Sequence, residues 1–236
     1  MKKGVLFLLP ASLGPASVSE ILPEIVEKTV ARLNYFIVEN EKTARRMIKQ
    51  LCPEKKQSDL QMFQLDKHHK TAFLNDFIQP LLQGEDMGLL SEAGLPAIAD
   101  PGSLVVALAH KTGIQVKPLV GPSSLMLALM ASGLNGQKFS FEGYLPKDTS
   151  ELKRRLKHLE QLSAQHNCTK ICIETPYRNN KLWDSLIKIL HPDTQLCIAC
   201  DLTLAGEFIK TMPVKLWRKQ KPDLHKRPTV FLFQAH

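Results

Sequence analysis

The chain has 236 residues, is 44% hydrophobic and carries a formal net charge of +8, enough for one large domain or two small ones, each with its own core. That balance excludes a chain dominated by disorder, and no apolar run is long enough to span a bilayer. Five cysteines, an odd number, argue against a disulfide framework, and the apolar stretch behind Met1-Lys2-Lys3 is too short for a signal peptide, so the expectation is a cytoplasmic protein without membrane contact.

Residues 4–9 read as a first strand and 10–19 as a loop. Apolar residues at helical spacing predict a helix over 21–33. Residues 35–38 form a short buried strand, 43–51 and 73–82 read as helices, and 87–90 as a strand. Residues 104–111 form a helix stopped by Gly113, and 116–120 the next strand. This β-α-β-α order predicts a mostly parallel sheet covered by helices. After Gly121-Pro122 the pattern changes. A helix over 125–131 ends at Gly133, and 139–145 reads as a strand. Leu152, Leu156 and Leu159 then make one apolar helical stripe. Strands follow at 170–174, 195–200, 206–212 and 229–234 with little helix between the last of them, which predicts a mixed sheet. The expected fold class is therefore α/β with two α/β domains, 1–118 and 119–236, hinged around residues 118–122.

Charge divides the same way. Residues 1–118 hold 14 Lys and Arg against 13 Asp and Glu; residues 119–236 hold 17 against 10. The excess gathers at Lys153, Arg154, Arg155 and Lys157 and again over residues 215–227. A one-sided basic surface suits a polyanion such as RNA, although a solvated helix face gives the same pattern. Cys168, Cys172, Cys197 and Cys200 have zinc-like spacings, but they sit in apolar strand-like runs, where Cys197 and Cys200 point to opposite faces. Buried thiols are the simpler account, and no metal is expected.

The most informative stretch is Leu90-Ser91-Glu92-Ala93-Gly94-Leu95-Pro96-Ala97-Ile98-Ala99-Asp100-Pro101-Gly102. A strand, a Gly/Pro loop and a helix in succession present backbone groups to a small ligand. A second such loop is Val120-Gly121-Pro122-Ser123-Ser124. With Leu8-Leu9-Pro10, Ala131-Ser132-Gly133-Leu134, Phe141-Glu142-Gly143-Tyr144-Leu145-Pro146, Glu174-Thr175-Pro176-Tyr177-Arg178 and Leu202-Thr203, the chain resembles the tetrapyrrole-methylase superfamily of S-adenosylmethionine-dependent methyltransferases. Within it the likeness is to the branch that methylates a ribose 2′-hydroxyl in small-subunit ribosomal RNA. The resemblance implies two α/β domains with the methyl donor in the cleft between them, and a homodimer. It implies donor contacts at Pro10, Ser91, Glu92, Ala93, Gly94, Ser123, Ser124, Leu125, Glu174, Leu204, Ala205, Pro228 and Thr229. The chain departs from that branch at Ala11-Ser12-Leu13-Gly14-Pro15, at Val38-Glu39-Asn40-Glu41-Lys42 and at Glu92-Ala93-Gly94-Leu95-Pro96, and keeps only Lys67-His68-His69-Lys70 of its His-rich segment.

Methyl transfer from a sulfonium chiefly requires alignment and exclusion of water. A hydroxyl acceptor also benefits from a base, and Glu39, Glu92 and Glu174 at predicted strand ends are the candidates, each better suited to hydrogen bonding or positioning the donor than to acting as the base. Asp100 reads as a turn or helix cap. Lys153, Arg154, Arg155, Lys157 and Arg178 are the candidate RNA contacts. No G-x-G-x-x-G, G-x-x-x-x-G-K-[ST] or H-E-x-x-H occurs, so dinucleotide, nucleotide-hydrolysing and zinc-protease sites are not indicated. Three readings stay open: an RNA methyltransferase releasing S-adenosylhomocysteine, a methyltransferase of a small corrin-type tetrapyrrole, and a donor-binding RNA-interaction module without turnover.

Overall fold

A computed structural model describes residues 2–15, 18–65 and 74–236. The chain divides into two compact units, 1–123 and 124–236. No helix among the described residues is long and apolar enough to cross a membrane.

In the first unit, five short strands form an all-parallel sheet: β1 (Val5–Leu9), β2 (Tyr35–Val38), β3 (Gln61–Gln64), β4 (Met87–Leu90) and β5 (Gln115–Pro118), in the order β3-β2-β4-β1-β5. Side chains on a strand alternate between faces, and here both faces are apolar. Phe7, Leu9, Phe36 and Val38 pack with Val26 and Val30 of α2 (Glu24–Arg32) and Ile48 of α3 (Glu41–Leu51). Leu6, Ile37 and Leu89 pack on the other side with Leu81 of α5 (Gln79–Leu82) and with Val105 and Ala109 of α6 (Gly102–Lys111). Two further short helices are α1 (Val18–Ile21) and α4 (Leu74–Phe77). The helix expected over 21–33 is broken by Pro23, whose extended backbone (φ −61°, ψ 147°) makes it the N-cap of α2.

The second unit is a mixed sheet, as expected. Strands β6 (Phe139–Tyr144), β7 (Thr169–Ile173), β8 (Gln195–Cys200), β9 (Phe208–Pro213) and β10 (Thr229–Gln234) run in the order β6-β7-β10-β8-β9. Only β6 and β7 are parallel. Helix α7 (Ser124–Ser132) covers one face, where the Thr211 hydroxyl donates to Ser132 O at 2.7 Å. Helices α8 (Thr149–His166) and α9 (Asn179–Ile189) cover the other, where Leu152, Leu156, Leu159, Leu182, Trp183 and Leu186 meet Phe231 and Phe233. Asp148 caps α8 by accepting from Ser150 N and Glu151 N, both at 2.9 Å, and satisfies two of its free amides. Trp217, in α10 (Val214–Trp217), is buried and donates its indole N–H to Leu196 O at 2.8 Å. All five cysteines are free and buried, and burial pushes the Cys172 thiol up to about 12 and Cys197 to about 11.

Candidate functional site

The winding of the first sheet sets the site. From β1 the chain moves outward to β2 and β3, then returns to β4 beside β1 and crosses to β5 on the far side. Where connections leave neighbouring parallel strands in opposite directions, a crevice opens beyond their carboxyl ends. A cavity of about 410 Å³ lies there, lined by residues 11–15 after β1, by Ser91, Glu92 and Ala93 after β4, and by Thr43, Arg46, Met47 and Gln50 of α3. Asn40, two residues after β2, caps α3 by accepting from Thr43 N at 3.1 Å, which sets the first turns of that helix at the same edge.

Three loops converge on this edge. Ala11 and Gly94 exchange backbone hydrogen bonds of 2.8 and 3.2 Å. Gly94 has φ +72°, and a Cβ on it would lie 3.5 Å from Pro122 O. A Cβ on Gly121 would fall 2.1 Å from Pro10 Cβ, so only glycine lets the loop after β5 pass so close to the loop after β1. The buried Ser91 hydroxyl donates to Ala93 O at 3.4 Å and Gly94 O at 3.3 Å and holds the loop in place. Glu39 Oε1 accepts from Glu92 N at 3.4 Å. The structure thus brings Pro10, Glu39, Ser91, Glu92, Ala93 and Gly94 to one place, and Ser123 follows Pro122 directly. Asp100 is a turn residue: its Oδ1 accepts from Ala97 N at 2.8 Å and Gly102 N at 2.7 Å. Burial nevertheless holds its carboxyl above the usual range, and the two amides offset that only in part. His68 and His69 lie outside the described residues.

The remaining expected residues belong to the second unit. Ser124 and Leu125 open α7. Glu174 follows β7, Leu204 and Ala205 follow β8, and Pro228 and Thr229 lead into β10. β10 runs antiparallel to both β7 and β8, so these three segments share one edge. Arg227 ties them: its Nε lies 2.7 Å from Asp201 Oδ2 and its Nη2 donates to Gly206 O at 2.6 Å. Asp201 N donates to Pro228 O at 2.9 Å, and Lys226 N to Pro176 O at 3.2 Å. Between them Thr203 has φ +69°, a costly conformation for a β-branched residue that persists only where its surroundings enforce it. Its hydroxyl is buried without a hydrogen-bond partner. Glu174 is 8% exposed; it accepts from Thr175 N at 2.7 Å and pairs with Arg178 at 3.0 Å. Those contacts make it a loop-holding carboxylate.

Of the five basic candidates, Arg155 lies 2.7 Å from Glu142 and Arg178 is held by Glu174, while Lys153, Arg154 and Lys157 are exposed on α8. Sequence reasoning missed Arg46, Gln50 and Thr203. The first two were signalled by Asn40, whose capping places α3 at the strand edge. The sequence marks Thr203 only as part of the Leu202-Thr203 motif, with no role of its own.

The chain is similar to known proteins over most of its length. The family described as "Tetrapyrrole (Corrin/Porphyrin) Methylases" matches residues 20–216. A Vibrio cholerae protein named "Ribosomal RNA small subunit methyltransferase I" is 31% identical over 177 residues, 74% of this chain and 60% of that protein. One of the same name from Haemophilus influenzae is 25% identical over 98% of this chain and 79% of its own length. The match thus spans about three fifths of the Vibrio cholerae relative. Among solved structures, the methyltransferase CobJ superposes with a TM-score of 0.65 at 15% identity, covering 98% of this chain and 94% of that one. The cobalt precorrin-4 methyltransferase CbiF superposes with 0.62 at 14% identity and the same coverage. At such identities these likenesses carry the fold, and the fold agrees with the family match: this chain belongs to the tetrapyrrole (corrin/porphyrin) methylase family.

Proposed function

We propose that the chain is an S-adenosylmethionine-dependent methyltransferase acting on ribosomal RNA, with a ribose 2′-hydroxyl as acceptor. The observation that carries it is the meeting of the loops after β1, β4 and β5 around the Ala11–Gly94 pair and the Gly121–Pro10 contact. Main-chain groups at such a junction suit an adenine edge or an amino-acid carboxylate. In the first unit the proposal assigns the donor to Pro10, Ser91, Glu92, Ala93, Gly94 and Ser123. In the second it assigns Ser124, Leu125, Glu174, Leu204, Ala205, Pro228 and Thr229. When bound, the donor supplies a methyl group already activated by its sulfonium, and no metal is required. One of Glu39 and Glu92, at the strand edge, is assigned to take the acceptor hydroxyl's proton. Glu174, engaged by Arg178 and Thr175 N, is assigned to positioning. Relatives that carry the ribosomal RNA methyltransferase name favour RNA as the acceptor.

The reading includes a cytoplasmic homodimer, for which sedimentation equilibrium is the check. The deciding experiment has two arms: calorimetric titration with S-adenosylmethionine and S-adenosylhomocysteine, and tritiated methyl transfer onto ribosomal RNA from cells lacking this protein. Donor uptake with counts above those on RNA from intact cells is expected. Uptake without transfer would reduce the protein to a binding module. Transfer only to a tetrapyrrole, with a visible absorbance change and little salt dependence, would move the acceptor to the small-molecule class.

A further inference from the structure

Helices α8 and α9 pack side by side through Leu152, Leu156, Leu182 and Leu186. Outside that seam lies a groove of about 660 Å³, with Lys153 and Lys157 on one wall and Lys181 and Lys188 on the other. All four side chains are exposed, and among the described residues none of the four ammonium groups has an ion-pair partner. Some other cations of this unit do, while Lys138, Lys147, Arg154, Lys210, Arg218, Lys219 and Lys226 have no ion pair among the described residues either. Arg155 and Lys170 share Glu142, Arg178 has Glu174, Arg227 has Asp201, and Lys215 has Asp193. The acids nearest the groove leave it positive. Asp184 lines it but faces Lys221 at 3.9 Å, and Glu160 Oε1 is taken by His191 N and the Thr194 hydroxyl.

Four lysines against the single carboxylate of Asp184 leave the trough with an excess of positive charge, which calls for an anion from outside, and their spacing says which kind. Lys153 and Lys157 stand one turn apart, about 6 Å along α8, and Lys181 and Lys188 two turns apart, about 10 Å along α9. A track of that length fits a chain of phosphates, not a single one. Lysines are compact point charges without the planar fork that reads base edges. We infer that the α8–α9 groove is where this protein holds the phosphodiester backbone of its RNA substrate, with Lys181 and Lys188 acting together with Lys153 and Lys157. Arg155 and Arg178, committed to Glu142 and Glu174, are not part of that surface. The inference rests on the RNA reading above and locates its contact surface. Because the contacts are with phosphates, they position the RNA and weaken alike for all sequences when removed.

The test is fluorescence anisotropy of a labelled RNA hairpin with the full chain between about 50 and 200 mM salt. The variants are Lys181→Gln/Lys188→Gln and Lys153→Gln/Lys157→Gln. A control with the same charge change, Lys56→Gln/Lys111→Gln, alters exposed lysines of the first unit. Thermal unfolding checks each fold, and calorimetry checks donor uptake. Each groove pair should flatten the salt dependence by about two phosphates. The affinity lost across that salt range then falls roughly 7- to 12-fold short of the wild-type loss, while the control and the donor uptake stay as in the wild type. If the wild type binds RNA and transfers methyl but the Lys181→Gln/Lys188→Gln protein keeps the wild-type slope, the groove is refuted and the methyltransferase reading survives. If the wild type binds no RNA at any salt, that reading falls and the groove with it. Equal loss of binding to phosphatidylglycerol vesicles and to RNA would also overturn the assignment.

Discussion

Replacing Glu142 with glutamine tests the charge network that joins β6, β7 and α8. The Lys170 side chain is only 7% exposed; its Nζ lies 3.7 Å from Glu142 Oε1 and 3.0 Å from the Ser140 hydroxyl. That hydroxyl donates to Glu142 Oε1 at 2.7 Å, and Arg155 Nη2 lies 2.7 Å from Glu142 Oε2. Glutamine keeps the shape of the side chain but strands the Lys170 cation without a counter-charge. Removing one partner of a buried pair costs 3–5 kcal/mol. The low end, about 3 kcal/mol, applies here because Arg155 is 41% exposed and can turn to solvent. At about 4 °C per kcal/mol for a unit of this size, the melting point falls by about 12 °C. Lys170→Met leaves Glu142 paired with Arg155 and should cost only about 1 kcal/mol. The double variant should be more stable than Glu142→Gln alone, with a coupling of about 2 kcal/mol. The chain has two tryptophans, Trp183 and Trp217, both buried in the second unit, so fluorescence during urea unfolding reports that unit alone. A loss below about 1 kcal/mol, the range of exposed pairs, or a double variant no better than Glu142→Gln, would refute the reasoning.

Gly121→Ala drives a methyl group into Pro10 and forces the two loops apart; calorimetry should show donor affinity down at least tenfold, about 1.4 kcal/mol, and an unchanged affinity would detach those loops from the donor. Asp100 has a raised carboxyl, so the folded state binds the extra proton and stability falls as pH rises from the ordinary carboxylate value through the folded one. Asp100→Asn keeps the acceptor for Ala97 N and Gly102 N without the buried charge. Its urea midpoint, followed by circular dichroism, should hold level across that window and match or exceed the wild type at neutral pH; a lower midpoint there counts against the account. Native protein should show almost no reaction with a thiol reagent, because all five cysteines are buried and the Cys172 and Cys197 thiols sit at about 12 and 11. Unfolding in urea should release all five, and rapid native labelling of Cys172 would contradict its place in the core.

Much of the fold was legible because burial writes itself into short apolar runs. Tyr35–Val38, Met87–Leu90 and Gln195–Cys200 have the bounds expected of them. β3 was missed because Gln61 and Gln64 are exposed and the strand lies at the edge of its sheet, so half of its pattern answers to water. α9 was missed because no side chain caps it, although Leu182, Trp183 and Leu186 already stood at helical spacing. The Gly/Pro loops announced themselves because close backbone approach demands those residue types. The places of Lys181 and Lys188 in the groove depend on α8, far along the chain, and no local pattern encodes them. The same distance hid the pairing of Arg155 with Glu142; Arg178, four residues after Glu174, was readable as an ion pair.

The order of the first sheet bears on synthesis. β1 pairs only with β4 and β5, through Met87–Leu90 and Gln115–Pro118, so the strand translated first waits for more than a hundred residues before both flanks are hydrogen-bonded. At ribosomal rates that delay is on the order of 10 s, and until Met87–Leu90 has been made Val5–Leu9 is an unpaired apolar ribbon on a nascent chain. Slowing elongation ahead of residue 115 should therefore raise the protein's dependence on chaperones far more than the same pause placed after it.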